Sequence, residues 1–237
     1  MRQRFLLDPP RVGVYLALIL AACHAGAPPS LLPATAVAVE RDSVRSWVLA
    51  TEPRNNVLHR FKWQFQDDRS AAGGRGSARI AVPDSLRFDV AGPLGTGRSA
   101  AVVVGDSAIW VDPEKSIHDL VPDYDLLWAM FGTARMPDSA ATLRGLDEGA
   151  GRISWEYADG PDTVSYARTP GSRSRFFAEV RHAGKVVGRV ETSLAADGQP
   201  LSSRLTVPSV PARLDVTFYS SVPTAAFPPD IWRPRQP

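Results

Sequence analysis

His59-Arg60-Phe61-Lys62-Trp63-Gln64-Phe65 alternates rings with charged or amide side chains over seven residues. Successive side chains of a β-strand point to opposite faces, so His59, Phe61, Trp63 and Phe65 share one face and Arg60, Lys62 and Gln64 the other. The same period recurs on either side of this stretch. Gly73, Gly74 and Gly76 punctuate the run, and Ala78-Ile80-Val82 reads as the next strand. Leu86, Phe88 and Val90 then alternate with Arg87 and Asp89. Ala100 to Val104 and Ala108 to Val111 flank a tight Gly105-Asp106 turn. Strands this close in sequence pair only as antiparallel hairpins.

The pattern resumes over 141–147, 151–158, 162–168, 175–182, 185–194, 201–207 and 212–220. Gly149, Asp159-Gly160-Pro161, Gly171, Ala183-Gly184 and Asp197-Gly198 separate these runs. The chain is therefore mainly β with a smaller α content, an antiparallel sheet of about 11–12 strands.

Two segments break the period. From about Thr35 to Thr51 a 3.6-residue stripe of Val37, Val44, Trp47 and Val48 predicts a helix, with Asp42, Ser43 and Ser46 facing away and Pro53 as its stop. Pro122-Asp123 reads as a helix entry with Asp123 as N-cap, followed by Tyr124, Leu126, Leu127, Trp128, Met130 and Phe131 and closed by Gly132. This short helix is apolar nearly all round, so it is buried or lies against something greasy. Two helices cannot cover the apolar face of so long a flat sheet. Small residues such as Ala78, Ala81, Ala100, Ala101, Ser202 and Ser203 fit a strongly curved sheet wrapped partly round the short helix, leaving an apolar cavity.

The first residues address location. Arg2, Arg4 and Arg11 precede the apolar run Val12 to Ala22, which ends at Leu20-Ala21-Ala22-Cys23. A basic start, a short apolar core and small residues at the cut describe a secretory signal peptide over 1–22. The run is about half the roughly 20 residues that a membrane-spanning helix needs. Leu-Ala-Ala-Cys also resembles the bacterial lipobox, which implies an acylated Cys23 tethering the mature protein to a membrane. An ordinary cleaved signal with an incidental cysteine is the alternative. Residues 23–34, rich in Ala, Pro and Gly, read as a flexible tether, 35–222 as one domain and 223–237 as a proline-rich, irregular tail. The three arginines and single acid before Cys23 account for the whole net charge of +2. The remainder is neutral with scattered basic residues, which argues against a nucleic-acid partner.

This order of elements resembles the LolA/LolB-like family: N-terminal helix, hairpin meander, Pro-Leu-Gly loop, central helix, second meander. Members are half-open antiparallel β-barrels, capped by helices, that hold the acyl chains of lipoproteins. Two places carry the likeness. Ala91-Gly92-Pro93-Leu94-Gly95 matches the loop of the LolB-type receptors, which implies that Leu94 protrudes and contacts the membrane; a turn leucine folded back on the sheet is the alternative. Leu126 to Gly132 resembles the Leu/Trp-rich helix that lids or plugs the family's cavity, which implies a lid of Leu127, Trp128 and Phe131 over a cavity walled by Phe61, Trp63 and Phe65; a plain core helix is the alternative. The resemblance further implies partners: lipoprotein acyl chains or another lipid, and a periplasmic LolA-like carrier. His24, not Asp, follows Cys23, which under the sorting rule of some bacteria places the anchor in the outer membrane, facing the periplasm.

Catalytic chemistry is not legible. His24, His59, His118 and His182 are isolated, without H-x-x-H spacing, and no G-x-S-x-G elbow or phosphate loop occurs. No metal or cofactor is expected. Three readings stay open: a lipid-anchored binding module, a structural or assembly lipoprotein with a filled interior, and an envelope hydrolase with an unrecognised site. The first two require no enzyme.

Overall fold

The computed structural model describes residues 31–95, 97–113, 121–147 and 153–233. The signal peptide, Cys23, the tether up to residue 30, His118 and Gly149 lie outside the described residues, as does the side chain of Leu94.

Two meanders build the sheet. The first is β2 (Asn56–Gln66), β3 (Ala71–Ala81), β4 (Ser85–Ala91), β5 (Ser99–Val104) and β6 (Ser107–Asp112). The second is β7 (Thr142–Asp147), β8 (Ile153–Asp159), β9 (Asp162–Thr169), β10 (Ser174–His182), β11 (Lys185–Leu194), β12 (Pro200–Val207) and β13 (Ala212–Thr224). Each strand pairs antiparallel with the next, as their short turns require. Pairing of β13 with β2 welds the meanders together, with Phe218 opposite Phe61 and Val216 opposite Trp63. With β1 (Val37–Ala38) on the free side of β7, the described residues form one 13-stranded sheet whose end strands, β1 and β6, do not pair. This is a half-open antiparallel barrel.

β1 lies inside the predicted first helix. That helix, α1, spans Arg41–Leu49 only. Val37 belongs to the strand and is exposed, whereas Val44 and Val48 are buried. The reason is tertiary: the Val39 amide donates to Leu143 O at 3.4 Å and the Arg144 guanidinium to Ala36 O at 3.1 Å, so the edge of β7 captures the segment before the helix begins.

The glycine run is also not a break. β3 passes straight through Gly73, Gly74 and Gly76. The Phe61 ring lies against Gly76, where a Cβ would sit 2.4 Å from its Cε2. A Cβ on Gly74 would sit 1.9 Å from Ala91 O. Glycine inside this strand permits close approach of a ring and of a neighbouring backbone.

On the inner face, Val57, His59, Phe61 and Trp63 of β2 are buried, as their alternation requires. Trp47 of α1 meets Trp155 edge-on (centroids 5.6 Å apart) and stacks on Phe176 at 5.9 Å. The C-terminal segment is less irregular than its prolines indicate. A 3-10 turn at Pro229–Trp232 docks on the outer face, where buried Arg87 donates to Ile231 O and to Arg233 O, and Trp110 Nε1 donates to Trp232 O at 3.0 Å.

Candidate functional site

The second helix, α2 (Tyr124–Ala129), fills the interior. Its start is local chemistry: the Asp123 carboxylate accepts the Asp125 amide at 2.8 Å, the N-cap that Pro122-Asp123 predicts. Its end is Gly132 at φ +79, a conformation that strains any side chain, with the Thr133 amide bonding back to Trp128 O at 3.2 Å. Between these stops Leu126, Leu127, Trp128, Ala129, Met130 and Phe131 are all buried. Tyr124 and Asp125 in its first turn are half-buried; the rest of α2 depends on the sheet around it for its burial.

Packing is supplemented by polar ties to both sides of the half-barrel. Asp125 accepts from Tyr166 Oη at 2.7 Å and from Tyr157 Oη at 2.9 Å, on β9 and β8. Thr192 Oγ1 on β11 donates to Ala129 O at 2.8 Å. Trp128 Nε1 crosses to the β5–β6 turn and donates to Gly105 O at 2.7 Å. The Arg135 guanidinium lies 5.1 Å over the Trp128 ring.

These ties have electrostatic consequences. Burial raises the Asp125 carboxyl above its ordinary range, although both tyrosine hydroxyls and the nearby Arg135 oppose the shift. Burial, then the neighbouring Asp125, push Asp123 up to about 6. Burial and Asp125 together raise both tyrosines, keeping them protonated as donors. A carboxylate in this interior is costly to bury and costlier still to leave there without its two hydroxyl donors.

Space remains at the rims. A groove of about 900 Å³ runs past Lys62, Trp63, Gly74, Arg75, Ala91 and Pro93, beside the 3-10 turn Pro93–Gly95. A cleft of about 420 Å³ opens where α1 runs into β2, over Val57, His59, Phe131 and Leu194. His59 Nδ1 lies 2.9 Å from Ser221 Oγ, and its ring packs on Phe131 and Phe218. Burial lowers the His59 pKa to about 4, so the ring is neutral. A serine and histidine in this setting resemble part of a hydrolase site, but apolar rings, not a carboxylate, surround the imidazole. Among the described residues no group of three or more His, Cys, Asp or Glu is placed to hold a metal. No helix among them is long and apolar enough to cross a membrane.

The residues singled out from sequence fall into separate settings. Leu127 and Trp128 lie in the plug. Phe131 stacks edge-on to Phe218 at 5.7 Å, as does Phe61, so β2, β13 and α2 meet in one aromatic cluster. Trp63 sits at the groove rim and donates to Ala91 O at 3.2 Å, while Phe65 is half-buried near the end of β2. Leu94 occupies the turn, with its side chain outside the described residues, as is Cys23. Asp125, Tyr157, Tyr166 and Thr192 were not singled out. Tyr157 and Tyr166 stand 32 and 41 positions from Asp125, and no local motif links them.

Known proteins give a structural likeness and no sequence match. No family model matches the chain, and no curated protein matches it in sequence. A LolA superfamily protein from Nitrosomonas europaea superposes with a TM-score of 0.52 at 10% identity, over 83% of this chain and 99% of that one. A putative outer membrane lipoprotein-sorting protein domain from Vibrio parahaemolyticus gives 0.49 at 7% identity, over 81% and 97%. MucB in the Pseudomonas aeruginosa MucA/MucB complex gives 0.30 at 17% identity, over 82% and 60%. The likeness to the Nitrosomonas protein shows a shared fold.

Proposed function

We propose that the protein is a lipid-anchored, non-catalytic component of the bacterial envelope that takes acyl chains of lipoproteins or other lipids into the space α2 fills. The observation that carries this reading is the plug itself: an apolar helix, buried from Leu126 to Ala129, inserted between the two sides of a sheet whose end strands, among the described residues, do not pair. When α2 moves aside, Phe61, Phe88 and Phe218 on the strands present an apolar wall to an alkyl chain, at about 0.8 kcal/mol per methylene buried.

On this reading Cys23 carries the anchor, in the outer membrane facing the periplasm. Leu94, in its Pro-Gly turn, touches the bilayer during delivery, and a periplasmic LolA-like carrier hands over the cargo. The role is that of a LolB-type receptor. The fold shared with a LolA superfamily protein supports the binding mode; the Leu-Ala-Ala-Cys motif supports the anchoring.

The burial of Leu126, Leu127, Trp128 and Ala129 favours a second reading, a structural lipoprotein that never opens. Native mass spectrometry and an apolar fluorescent probe on a soluble Cys23→Ala form separate the two. Co-purifying lipid and saturable probe uptake support the binding reading. A lipid-free chain that excludes the probe supports the scaffold.

A further inference from the structure

On the outer face of the sheet most arginines are neutralised, Arg144 and Arg175 by one acid each and six others by a carboxylate shared between two guanidinium groups. Asp89 sits between Arg79 (2.9 Å) and Arg87 (2.8 Å). Glu179 sits between Arg181 and Arg189. Asp215 sits between Arg204 (2.6 Å) and Arg213 (2.8 Å). Like charges facing each other across a sheet are destabilising, and each shared acid removes that cost.

One place breaks the rule. Lys62 on β2 and Arg75 on β3 are direct cross-strand partners. Arg60 lies on the same face, diagonal to Arg75, and Arg98 reaches the adjoining Pro93–Gly95 turn, its Nη2 3.7 Å from where a Gly95 Cβ would stand. All four are exposed, and among the described residues none makes an ion pair. They border two grooves that share Arg75 and Ala91: the 900 Å³ groove beside the turn and a second of about 470 Å³ lined by Arg60, Arg98 and Trp110. The acids nearby do not balance them. Asp215 and Asp89 are held by their own arginines, which leaves Asp112 alone against four cations.

We infer that this basic surface binds the phosphate groups of anionic lipid headgroups when the protein meets a bilayer. The shared chemistry is a phosphate ester. Four exposed cations spread over two open grooves suit several headgroups on a surface better than one enclosed anion, and three of them, Lys62, Arg75 and Arg98, lie beside the Pro93–Gly95 turn that carries Leu94. The inference builds on the membrane-contact part of the proposed function and is independent of acyl-chain uptake.

Co-sedimentation of the soluble Cys23→Ala protein with vesicles tests it, using phosphatidylcholine alone and equal parts phosphatidylcholine and phosphatidylglycerol. Binding is expected only to the anionic vesicles and is expected to weaken with salt. Arg75→Gln and Arg60→Gln should each lower it about fivefold, the worth of one basic side chain near an anionic surface. Arg45→Gln, an exposed cation on α1, should leave it unchanged. Equal binding to both vesicles, or no loss in the two groove variants, overturns the inference. So does Arg75-dependent binding of inorganic phosphate or of poly-glutamate without vesicle binding, which would make the ligand a soluble phosphate or an acidic protein. Probe uptake measured on the same variants should not change. Its absence throughout counts against the acyl-chain reading, while lost vesicle binding with uptake intact counts against this one alone.

Discussion

The hydroxyl of Tyr166 and the carboxylate of Asp125 meet at 2.7 Å inside the half-barrel, 41 residues apart in sequence. Through this contact the second meander grips a helix that the chain lays down between its two meanders. With Tyr157 on the other carboxylate oxygen, α2 is held by directional bonds in addition to its packing. Directional ties of this kind break cleanly when one partner goes, which makes the seating of the plug open to experiment.

Tyr166→Phe removes one donor and leaves Asp125 short of a partner in an apolar setting. The expected loss of stability is about 1–3 kcal/mol. Thermal denaturation checks it. Apolar-probe uptake should become faster than in the unaltered protein, because the closed state loses more than the open one.

Asp123 has a pKa pushed up to about 6 from its ordinary 3.8, so the folded protein binds its proton more tightly than the unfolded chain does. Its contribution is therefore fully present below about pH 3.8 and is lost as the pH rises through about 6. His59, lowered to about 4, has the opposite sign across the same window: it favours folding at neutral pH and loses that contribution on acidification. The two oppose each other in the intact protein. Asp123→Asn keeps a capping side chain and removes only the first. Between pH 7 and pH 4 the variant should therefore lose stability relative to the parent, by up to about 3 kcal/mol. Urea midpoints at the two pH values read the difference.

Gly188 is the bed of the plug: a Cβ there would lie 2.5 Å from Leu126 Cδ1 and 3.5 Å from Thr206 O. Gly188→Ala should unseat α2 at a cost of about 1–3 kcal/mol while leaving the sheet paired. Near-ultraviolet circular dichroism should change, because Trp128 shifts, and the far-ultraviolet strand signal should not.

Leu94→Glu should leave thermal stability within about 0.5 kcal/mol of the parent, as for a surface position. It should impair transfer of a lipoprotein to membranes. A marked fall in stability would instead make Leu94 a core residue.

Cys23→Ala should move the protein from the membrane fraction to the soluble fraction of cells producing it. Persistence in membranes would remove the anchor from the account.

Much of the sheet was legible because its signals are local. The alternation of His59 to Phe65 and the Asp-Gly and Ala-Gly turns mark strands and hairpins without reference to the rest of the chain. The Asp123 cap and the Gly132 stop of α2 were equally local. What failed depended on distant partners. Val37 joins a strand because β7 offers it an edge about 100 residues later. The β3 glycines are tolerated because Phe61 and Ala91 press against them. Of the site, the apolar side chains of the plug were visible as a pattern, whereas its polar ties were not. Tyr157, Tyr166 and Thr192 look like ordinary strand residues until β8, β9 and β11 bring them under α2.

Amide hydrogen exchange over residues 124–131 tests the central claim most directly, with and without a synthetic lipopeptide bearing an acylated cysteine. If acyl chains take the place of α2, these amides should be protected in the free protein and should exchange markedly faster once the lipopeptide binds, while those of β2 and β13 stay slow. Lipopeptide binding that leaves exchange in this segment unchanged, or no binding at all, would contradict the account.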